Sequence, residues 1–148
     1  MFRPARITAT GHFYLEPPMA YSTELRNAKL DANATIAGNA AKLEIYGTTT
    51  DVAGTANAEG TLLATFTMGS PFAPAASGGV QSPSLPSATT GAATGTATWA
   101  RLNKADGSTA VMDLTVGTSG AQINLSSLSI TSGGAVSITG FTITAADA

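Results

Sequence analysis

The stretch GTATWARLNKADGSTAVMDLTVG, residues 95–117, constrains the fold more than any other part of the chain. Two strand-like runs flank the turn sequence ADGS at 105–108, and Asp-Gly between such runs is a strong hairpin signal. In the second run, Met112, Leu114 and Val116 share one face because side chains alternate along a strand. The stretch therefore predicts an antiparallel hairpin with one buried face.

Two segments before this hairpin show the same alternation. In AKLEIYG, residues 41–47, Leu43 and Ile45 point to one side of the predicted strand. A second strand is predicted over TLLATFTM, residues 61–68, after a loop rich in Thr, Ala, Gly and Asn. One face of this second strand is expected to carry four apolar residues: Leu62, Ala64, Phe66 and Met68.

The closing stretch INLSSLSITSGGAVSITGFTITA, residues 123–145, adds two or three further strands. These strands turn at Gly133 and Gly134. Across Gly140 the apolar residues change from even-numbered to odd-numbered positions, which indicates a β-bulge. Trp99, in the hairpin, is expected to fill or cap the core. Six to eight short strands joined by Gly, Pro or Asp-Gly turns predict a mainly-β domain with the layers of an immunoglobulin-like β-sandwich. The chain has no cysteine, so the Cys–Trp–Cys core of antibody domains is missing and only the architecture is predicted.

Residues 22–37, STELRNAKLDANATIA, form the one predicted helix. Ser22 is a good N-cap, Glu24 places negative charge in the first turn, and Gly38 suits the position after the last turn. An apolar stripe at three- and four-residue spacing is expected to dock this helix on the domain. The stripe comprises Leu25, Ala28, Ala32 and Ile36.

The first twenty residues are assigned to an N-terminal arm or extension, and residues 21–148 to the β-sandwich domain with its leading helix. The segment holds Arg3 and Arg6 among three prolines, which disfavour a continuous helix. Residues 1–18 are either an upstream extension with little role or an arm that lies on another subunit. The second alternative is favoured because an arm without a core is seldom ordered unless something ties it down.

Residues 69–95 carry four prolines and five glycines, which end the strand pattern. A loop of this length in a compact domain is usually functional or disordered. It contains no charged residue to keep it solvated, so it is expected to pack and to face a partner. The residues expected to contact a partner come from this loop and from the arm: Arg3, Arg6, Phe72, Val80 and Leu85.

Charged residues make up 11% of the chain, against about 25% in an average soluble domain. Thr, Ser, Ala and Gly replace the Lys and Glu that usually coat a free-standing domain, which suits a surface held against neighbours or an ordinary Thr-rich β-protein. The seven Lys and Arg residues are scattered, so no nucleic-acid partner is expected. The sequence shows no apolar run long enough to span a membrane and no secretory signal at its start, so no membrane partner is expected.

The sequence offers no candidate catalytic residue, and no cofactor or metal site is expected. His12 is the only histidine, and it is interpreted as structural or incidental because a triad or metal site needs partners at fixed geometry. No nucleophile elbow, phosphate-binding Gly-Lys-Ser/Thr loop, HExxH pair or EF-hand loop occurs. Asp106 and Asp113 would make a two-carboxylate or calcium site only if they faced each other across the hairpin, and Asp106 is already explained by its turn. The chain is therefore predicted not to be an enzyme.

From Met19 onward the sequence resembles a family of small structural proteins of tailed-bacteriophage virions. The matching stretches are MAYSTELRNAKLDA, LEIYG, TLLATFTMGSPFAPAASGGV, GTATWARLNKADGSTAVMD and SITGFTITAADA. They cover most of residues 19–148, and the stretch over 61–80 is the most specific. Residues 1–18 fall outside the resemblance. It implies a structural role in the particle and brings no catalytic residues with it.

Within the virion, a capsid decoration (cement) protein that bridges adjacent major capsid subunits ranks first. A compact β-domain with a helix, an arm and a long apolar loop suits that position. The expected partners are the major capsid protein or other virion subunits, together with further copies of this chain, a trimer being one arrangement. A tail or neck component is the runner-up. A receptor- or carbohydrate-binding module is a third alternative, which the small number of aromatic residues disfavours.

Overall fold

The computed structural model describes residues 19–47 and 60–146, together with two short strands nearer the N terminus. These residues contain one helix, α1 (Thr23–Ala37). The strands before the long loop are β1 (Arg6–Ile7), β2 (Phe13–Tyr14), β3 (Lys42–Gly47) and β4 (Thr61–Thr67). The strands that follow are β5 (Val80–Gln81), β6 (Thr89–Thr90), β7 (Gly95–Asn103), β8 (Ala110–Gly117), β9 (Ile123–Leu125), β10 (Ser129–Ile130), β11 (Ala135–Val136), β12 (Ile138–Phe141) and β13 (Ile143–Thr144).

The main sheet has seven strands in the order β12-β9-β8-β7-β3-β4, with β10 paired to β7 outside this path. The β8–β9 pair is parallel, and the other pairs of this sheet are antiparallel. Three two-stranded ladders complete the described strands: β1–β2, β6–β11 and β5–β13. The prediction of a mainly-β chain with one helix is confirmed for the described residues.

The predicted hairpin is formed by β7 and β8, and Asp106 holds its turn. The Asp106 carboxylate accepts hydrogen bonds from the Ser108 and Thr109 backbone N–H groups, both at 2.8 Å, and from the Thr109 hydroxyl at 2.5 Å. The Thr109 hydroxyl, followed by the two N–H groups, lowers the pKa of Asp106 to about 2 because these donors stabilise the ionised form. Gly107 follows with a φ of 69°, a conformation that favours glycine.

One apolar core lies against one face of the main sheet. Leu43 and Ile45 are fully buried in it, as their alternation predicts. Leu114 is also buried, with Met112 and Val116 half-buried beside it, so the predicted inward face of the second hairpin strand is confirmed.

A β-bulge changes which residues of β4 reach the core. Ile45 pairs with Ala64 but Tyr46 pairs with Leu62, so Leu63 is the extra residue between them. Leu63 is buried and Leu62 is half-buried, so the predicted inward position of Leu62 is wrong. The other predicted inward residues are buried: Ala64, Phe66 and Met68.

The irregularity predicted at Gly140 is confirmed. The β9–β12 register shifts between Ile138 and Gly140, which lets both Ile138 and Phe141 point into the core. The turn predicted at Gly133 and Gly134 is also present, closed by the Gly134 N–H on the carbonyl of Thr131 at 2.9 Å.

Helix α1 has the predicted ends. The Ser22 hydroxyl oxygen accepts a hydrogen bond from the Leu25 N–H at 3.2 Å, which satisfies a donor that the first helical turn leaves open. At the other end the Gly38 N–H donates to the Ala34 carbonyl at 3.0 Å, with φ of Gly38 at 70°.

The orientation of α1 is the reverse of the predicted one. All four residues of the apolar stripe are exposed, and the two largest are Leu25 at 44% and Ile36 at 52%. Leu30 and Ala37, on the other side of the helix, are the residues that enter the core. The expectation that the stripe docks the helix on the domain is therefore wrong.

Hydrogen bonds to the long loop explain this orientation. Asn27 Oδ1 accepts from the Gly79 N–H at 2.8 Å, and Asp31 Oδ1 accepts from the Ala76 N–H at 2.7 Å. Backbone N–H groups that lose contact with water need such acceptors. The polar side of the helix supplies them, and this outweighs the small apolar area of an alanine-rich stripe.

The loop over 69–95 packs on its own domain through β5, β6 and Phe72. Phe72 is 1% exposed, and its ring meets the Phe141 ring edge-on with centroids 5.9 Å apart. The packing predicted for this loop is confirmed. Because Phe72 is a core residue, the expectation that it contacts a partner is wrong.

The N-terminal segment is described only through β1 and β2, which pair antiparallel with Arg6 opposite Tyr14. Arg3, His12 and residues 48–59 lie outside the described residues. The arm and its expected contacts therefore stay predictions.

Candidate functional site

A row of charged residues crosses the face of the main sheet that points away from the apolar core. The strand register places Glu44 opposite Arg101, and Arg101 opposite Asp113. Arg101 Nε and Nη2 donate to the two carboxylate oxygens of Asp113 at 2.7 and 3.0 Å. Arg101 is 3% exposed, so this is a desolvated, bidentate ion pair.

Two aromatic rings lie beside this row. Tyr46 and Trp99 stack with centroids 4.6 Å apart and planes 12° from parallel. The Tyr46 hydroxyl donates to Glu44 Oε2 at 2.6 Å, and Asn103 Nδ2 donates to the same oxygen at 2.9 Å. Burial, followed by the hydrogen bond and the charge of Glu44, raises the pKa of Tyr46 above its usual range. Trp99 is buried, as the expectation that it fills or caps the core implies, but it lies on the sheet face opposite the main apolar cluster and is not part of that cluster.

These residues form what we call the polar sheet network: Glu44, Tyr46, Trp99, Arg101, Asn103 and Asp113. Each carboxylate of the network already accepts two hydrogen bonds, from Tyr46 and Asn103 at Glu44 and from Arg101 at Asp113. These bonds connect Glu44 of β3 to Asn103 of β7, and Asp113 of β8 to Arg101 of β7. The network therefore suits a structural role, in which it fixes the register of β3, β7 and β8.

The two aspartates weighed from the sequence belong to separate hydrogen-bond systems. Asp106 is held by its own turn, and Asp113 is paired with Arg101. Within residues 19–47 and 60–146, no group of three or more His, Cys, Asp and Glu residues is arranged to hold a metal ion.

Sequence reasoning did not find the polar sheet network. The sequence did contain a signal. Glu44 and Tyr46 of β3 are two residues apart and so share a face of the sheet, and the same holds for Trp99 and Arg101 of β7. The pairing of β3 with β7, which brings the two pairs together, joins strands that are distant in the sequence.

A second feature is the surface formed by α1 and the long loop, which we call the helix–loop surface. In the described part of the chain, the exposed large apolar residues are Met19, Leu25, Ile36, Val80 and Leu85. The loop lies beside the helix because Gly79 and Ala76 donate to it. Val80 and Leu85 are exposed here, whereas Phe72 is buried. The side chain of Arg6 is outside the described atoms.

A groove of about 380 Å³ opens at the C-terminal end of α1. It is lined by Ala34, Thr35, Gly38, Asn39, Pro71, Phe72 and Ala73. The last turn of α1 contains no basic residue. Among the described residues, no backbone N–H donates to the carbonyls of Thr35, Ile36 and Ala37. The negative end of the helix dipole lies near the groove, and none of the described residues that line the groove is basic.

No helix in the described residues is long and apolar enough to cross a membrane. No protein-family model, curated protein or solved structure matches the chain.

Proposed function

We propose that this chain is a structural protein of a tailed-bacteriophage virion, without enzymatic activity, that decorates the capsid and stabilises it by bridging major capsid subunits. The observation that carries the proposal is the helix–loop surface, where α1 exposes Leu25 and Ile36 and the uncharged loop packed beside the helix exposes Val80 and Leu85. Burying such side chains against a neighbour stabilises association by roughly 25 cal/mol per Å² of apolar area, before the costs of association. The resemblance of residues 19–148 to small virion proteins supports the setting.

The proposal includes an immunoglobulin-like β-sandwich architecture. The main sheet forms one layer, and the β6–β11 and β5–β13 ladders contribute to the other. Val136 of β11 and Ile143 of β13 share one apolar core with Leu43 and Leu114 of the main sheet, which supports two facing layers. An experimental structure in which these ladders extend the main sheet edge to edge would contradict the sandwich.

Particles that lack the protein provide the test. Purified full-length chain is added to them, and occupancy is measured after sedimentation. The double variant Val80→Ser/Leu85→Ser keeps the fold, because both side chains are exposed, and is expected to lose most of the occupancy. The matched control Thr61→Ser/Thr96→Ser changes exposed polar positions and is expected to bind fully. Full occupancy by the Val80/Leu85 variant would remove the helix–loop surface as the interface, and absence of the chain from purified virions would overturn the virion proposal.

Copy number separates decoration from the alternative of a tail or neck component. A number of copies that follows the capsid lattice supports decoration, whereas a number that fits a single ring supports the neck or tail. The receptor- or carbohydrate-binding alternative is less well supported, because Tyr46 and Trp99 are stacked on each other and buried. Neither ring is open to stack on a sugar.

A further inference from the structure

We propose that the exposed side of α1 pairs in parallel with α1 of a second copy of this chain, through an apolar seam and through ion pairs between Glu24 of one copy and Lys29 of the other. This contact deepens the proposed function and rests on it for its setting, because it joins neighbouring copies on the particle. It leaves Val80 and Leu85 of the long loop to contact the capsid.

The apolar seam follows the exposed side of α1. Leu25 and Ile36 are 44% and 52% exposed, and Ala28 and Ala32 are exposed between them. Their spacing of three and four residues keeps them on one side of the helix. The two alanines at the middle let a second helix approach closely, because the distance between packed helices depends on the side chains at the contact. The larger side chains at the ends then pack around that contact.

Charged residues flank the seam on both sides. With 3.6 residues per turn, Glu24 lies on one side of the seam and Lys29 on the other, and both side chains are exposed. These are the positions at which Glu and Lys form ion pairs between the helices of a coiled coil. The helix therefore carries one acidic and one basic flank along the same apolar seam.

The charges favour a second copy in the parallel orientation. Two identical helices that pair antiparallel around a twofold axis bring the same flank of each helix together, so Glu24 meets no basic residue of α1. Parallel helices bring the acidic flank of one copy against the basic flank of the other. Glu24 and Lys29 are five residues apart, the offset at which flanking positions meet between parallel helices. The symmetry of the pair then forms this ion pair twice.

The Lys29 side chain is held in a suitable direction. Its Nζ lies 3.3 Å from the centre of the Tyr21 ring, a cation–π contact. Because Tyr21 precedes the helix, the ammonium group points back toward the level of Glu24 in a parallel partner. A side chain that is ordered in advance loses less entropy on pairing.

The area of this contact is small, because α1 has 15 residues and is about 22 Å long. Association in solution is therefore expected to be weak. On a particle, where copies are held side by side, the effective concentration is higher and the same contact is strengthened.

Disulfide formation tests the seam directly, because the sequence contains no cysteine. A single introduced cysteine has no partner in its own chain, so any disulfide joins two copies. In parallel pairing, Ala28→Cys meets the same residue of the second copy. In a glutathione buffer it is expected to form dimer about tenfold more readily than the matched control Ala105→Cys, on the exposed hairpin turn. Equal yields on a non-reducing gel at the same protein concentration would overturn the inference.

Exchanging the charges tests the orientation in sedimentation velocity of the full-length chain. Glu24→Lys and Lys29→Glu each place like charges on the facing flanks and should each weaken self-association by about tenfold. Mixing the two variants should restore association, because each lysine then faces a glutamate of the other chain. Mixing alters neither chain, so restoration separates pairing from folding. The control Lys104→Glu, on the exposed hairpin turn, should associate like the wild type.

Three results would each overturn the inference: a wild-type chain that stays monomeric at about 1 mM, a mixture that associates no better than its components, and equal weakening by Lys104→Glu. Glu24→Lys and Lys29→Glu variants that self-associate normally but lose occupancy on particles would assign this side of α1 to the capsid and overturn it as well. A chain that does not pair yet occupies particles would refute this inference alone. Pairing by a chain that is absent from virions would refute the proposed function alone.

Discussion

Arg101 and Asp113 form a bidentate ion pair across β7 and β8, on the face of the sheet that points away from the apolar core. Removing such charges from water is costly, and the cost is offset only while both partners are present. A slip of one residue between the strands would turn these side chains to opposite faces and separate them. The pair therefore helps to specify the register that brings Leu102 and Leu114 into the core.

Asp113→Ala should lower the free energy of unfolding by about 3–5 kcal/mol, because it removes the carboxylate that binds the buried guanidinium in a bidentate ion pair. The double variant Arg101→Met/Asp113→Leu removes both charges and should lose less. Urea unfolding followed by the fluorescence of Trp99, the single tryptophan, measures both effects. If the free energy of unfolding of the double variant is no higher than that of Asp113→Ala, this explanation of the Asp113→Ala loss is contradicted.

Tyr46→Phe should cost about 1 kcal/mol at neutral pH, because it removes the hydrogen bond to Glu44 and keeps the stack on Trp99. The pKa of Tyr46 is raised in the folded chain, so its contribution is complete below the unfolded pKa of about 10 and is lost as pH rises above it. The stability difference between wild type and Tyr46→Phe should therefore shrink in alkaline solution. Unfolding curves between pH 7 and strongly alkaline pH measure this, and parallel curves would contradict it.

Asp106→Asn should change the acid stability of the chain without changing its fold, since asparagine can occupy the same turn. The pKa of Asp106 is lowered to about 2, so its carboxylate stabilises the folded state above the unfolded pKa and stops doing so as pH falls through about 2. The wild type should exceed the variant in stability by a constant amount near neutrality, and the gap should close in acid. Thermal melts across this pH range decide the matter; a gap that does not change with pH would refute the prediction.

Leu25→Ala and Leu30→Ala make the same chemical change on opposite sides of α1. Leu30→Ala should cost about 2–5 kcal/mol because the side chain is buried, whereas Leu25→Ala should stay within about 0.5 kcal/mol. Chemical unfolding of the two variants under identical conditions measures the difference. Equal losses would mean that the apolar stripe docks on the domain after all.

The sequence predicts an element correctly where a residue forms its hydrogen bonds, or adopts its turn conformation, within a few positions along the chain. Ser22 and Gly38 set the ends of α1, and Asp106 with Gly107 sets the hairpin turn. Each acts within a few residues of itself, so the sequence alone predicted these elements correctly. Alternation likewise predicted the buried face of β3.

The orientation of α1 depended on partners far along the chain. The N–H groups that bind its polar side belong to Ala76 and Gly79, which are 45 and 52 residues from Asp31 and Asn27. Periodicity within the helix cannot show that these donors need acceptors. The same limit applies to Trp99, whose face is known only once β3 is paired with β7.

Which apolar residues of the long loop are exposed also depends on contacts with distant parts of the chain. An uncharged loop with few large apolar residues indicates that some of them are buried and some exposed, but not which. Phe72 fills a place beside Phe141 in the core, while Val80 and Leu85 remain at the surface. Val80 is positioned by the pairing of β5 with β13 and Phe72 by its contact with Phe141, and both of these partners lie far along the chain.

The place of β3 between β4 and β7 has a consequence for the newly synthesised protein. β3 is complete at Gly47, but its second neighbour β7 is complete only at Asn103. β5, in the long loop, waits longer still, because its partner β13 begins at Ile143. A nascent chain on the ribosome can thus pair β3 with β4 once Thr67 has emerged, whereas β3 gains β7 only after Asn103 and β5 gains β13 only after Thr144.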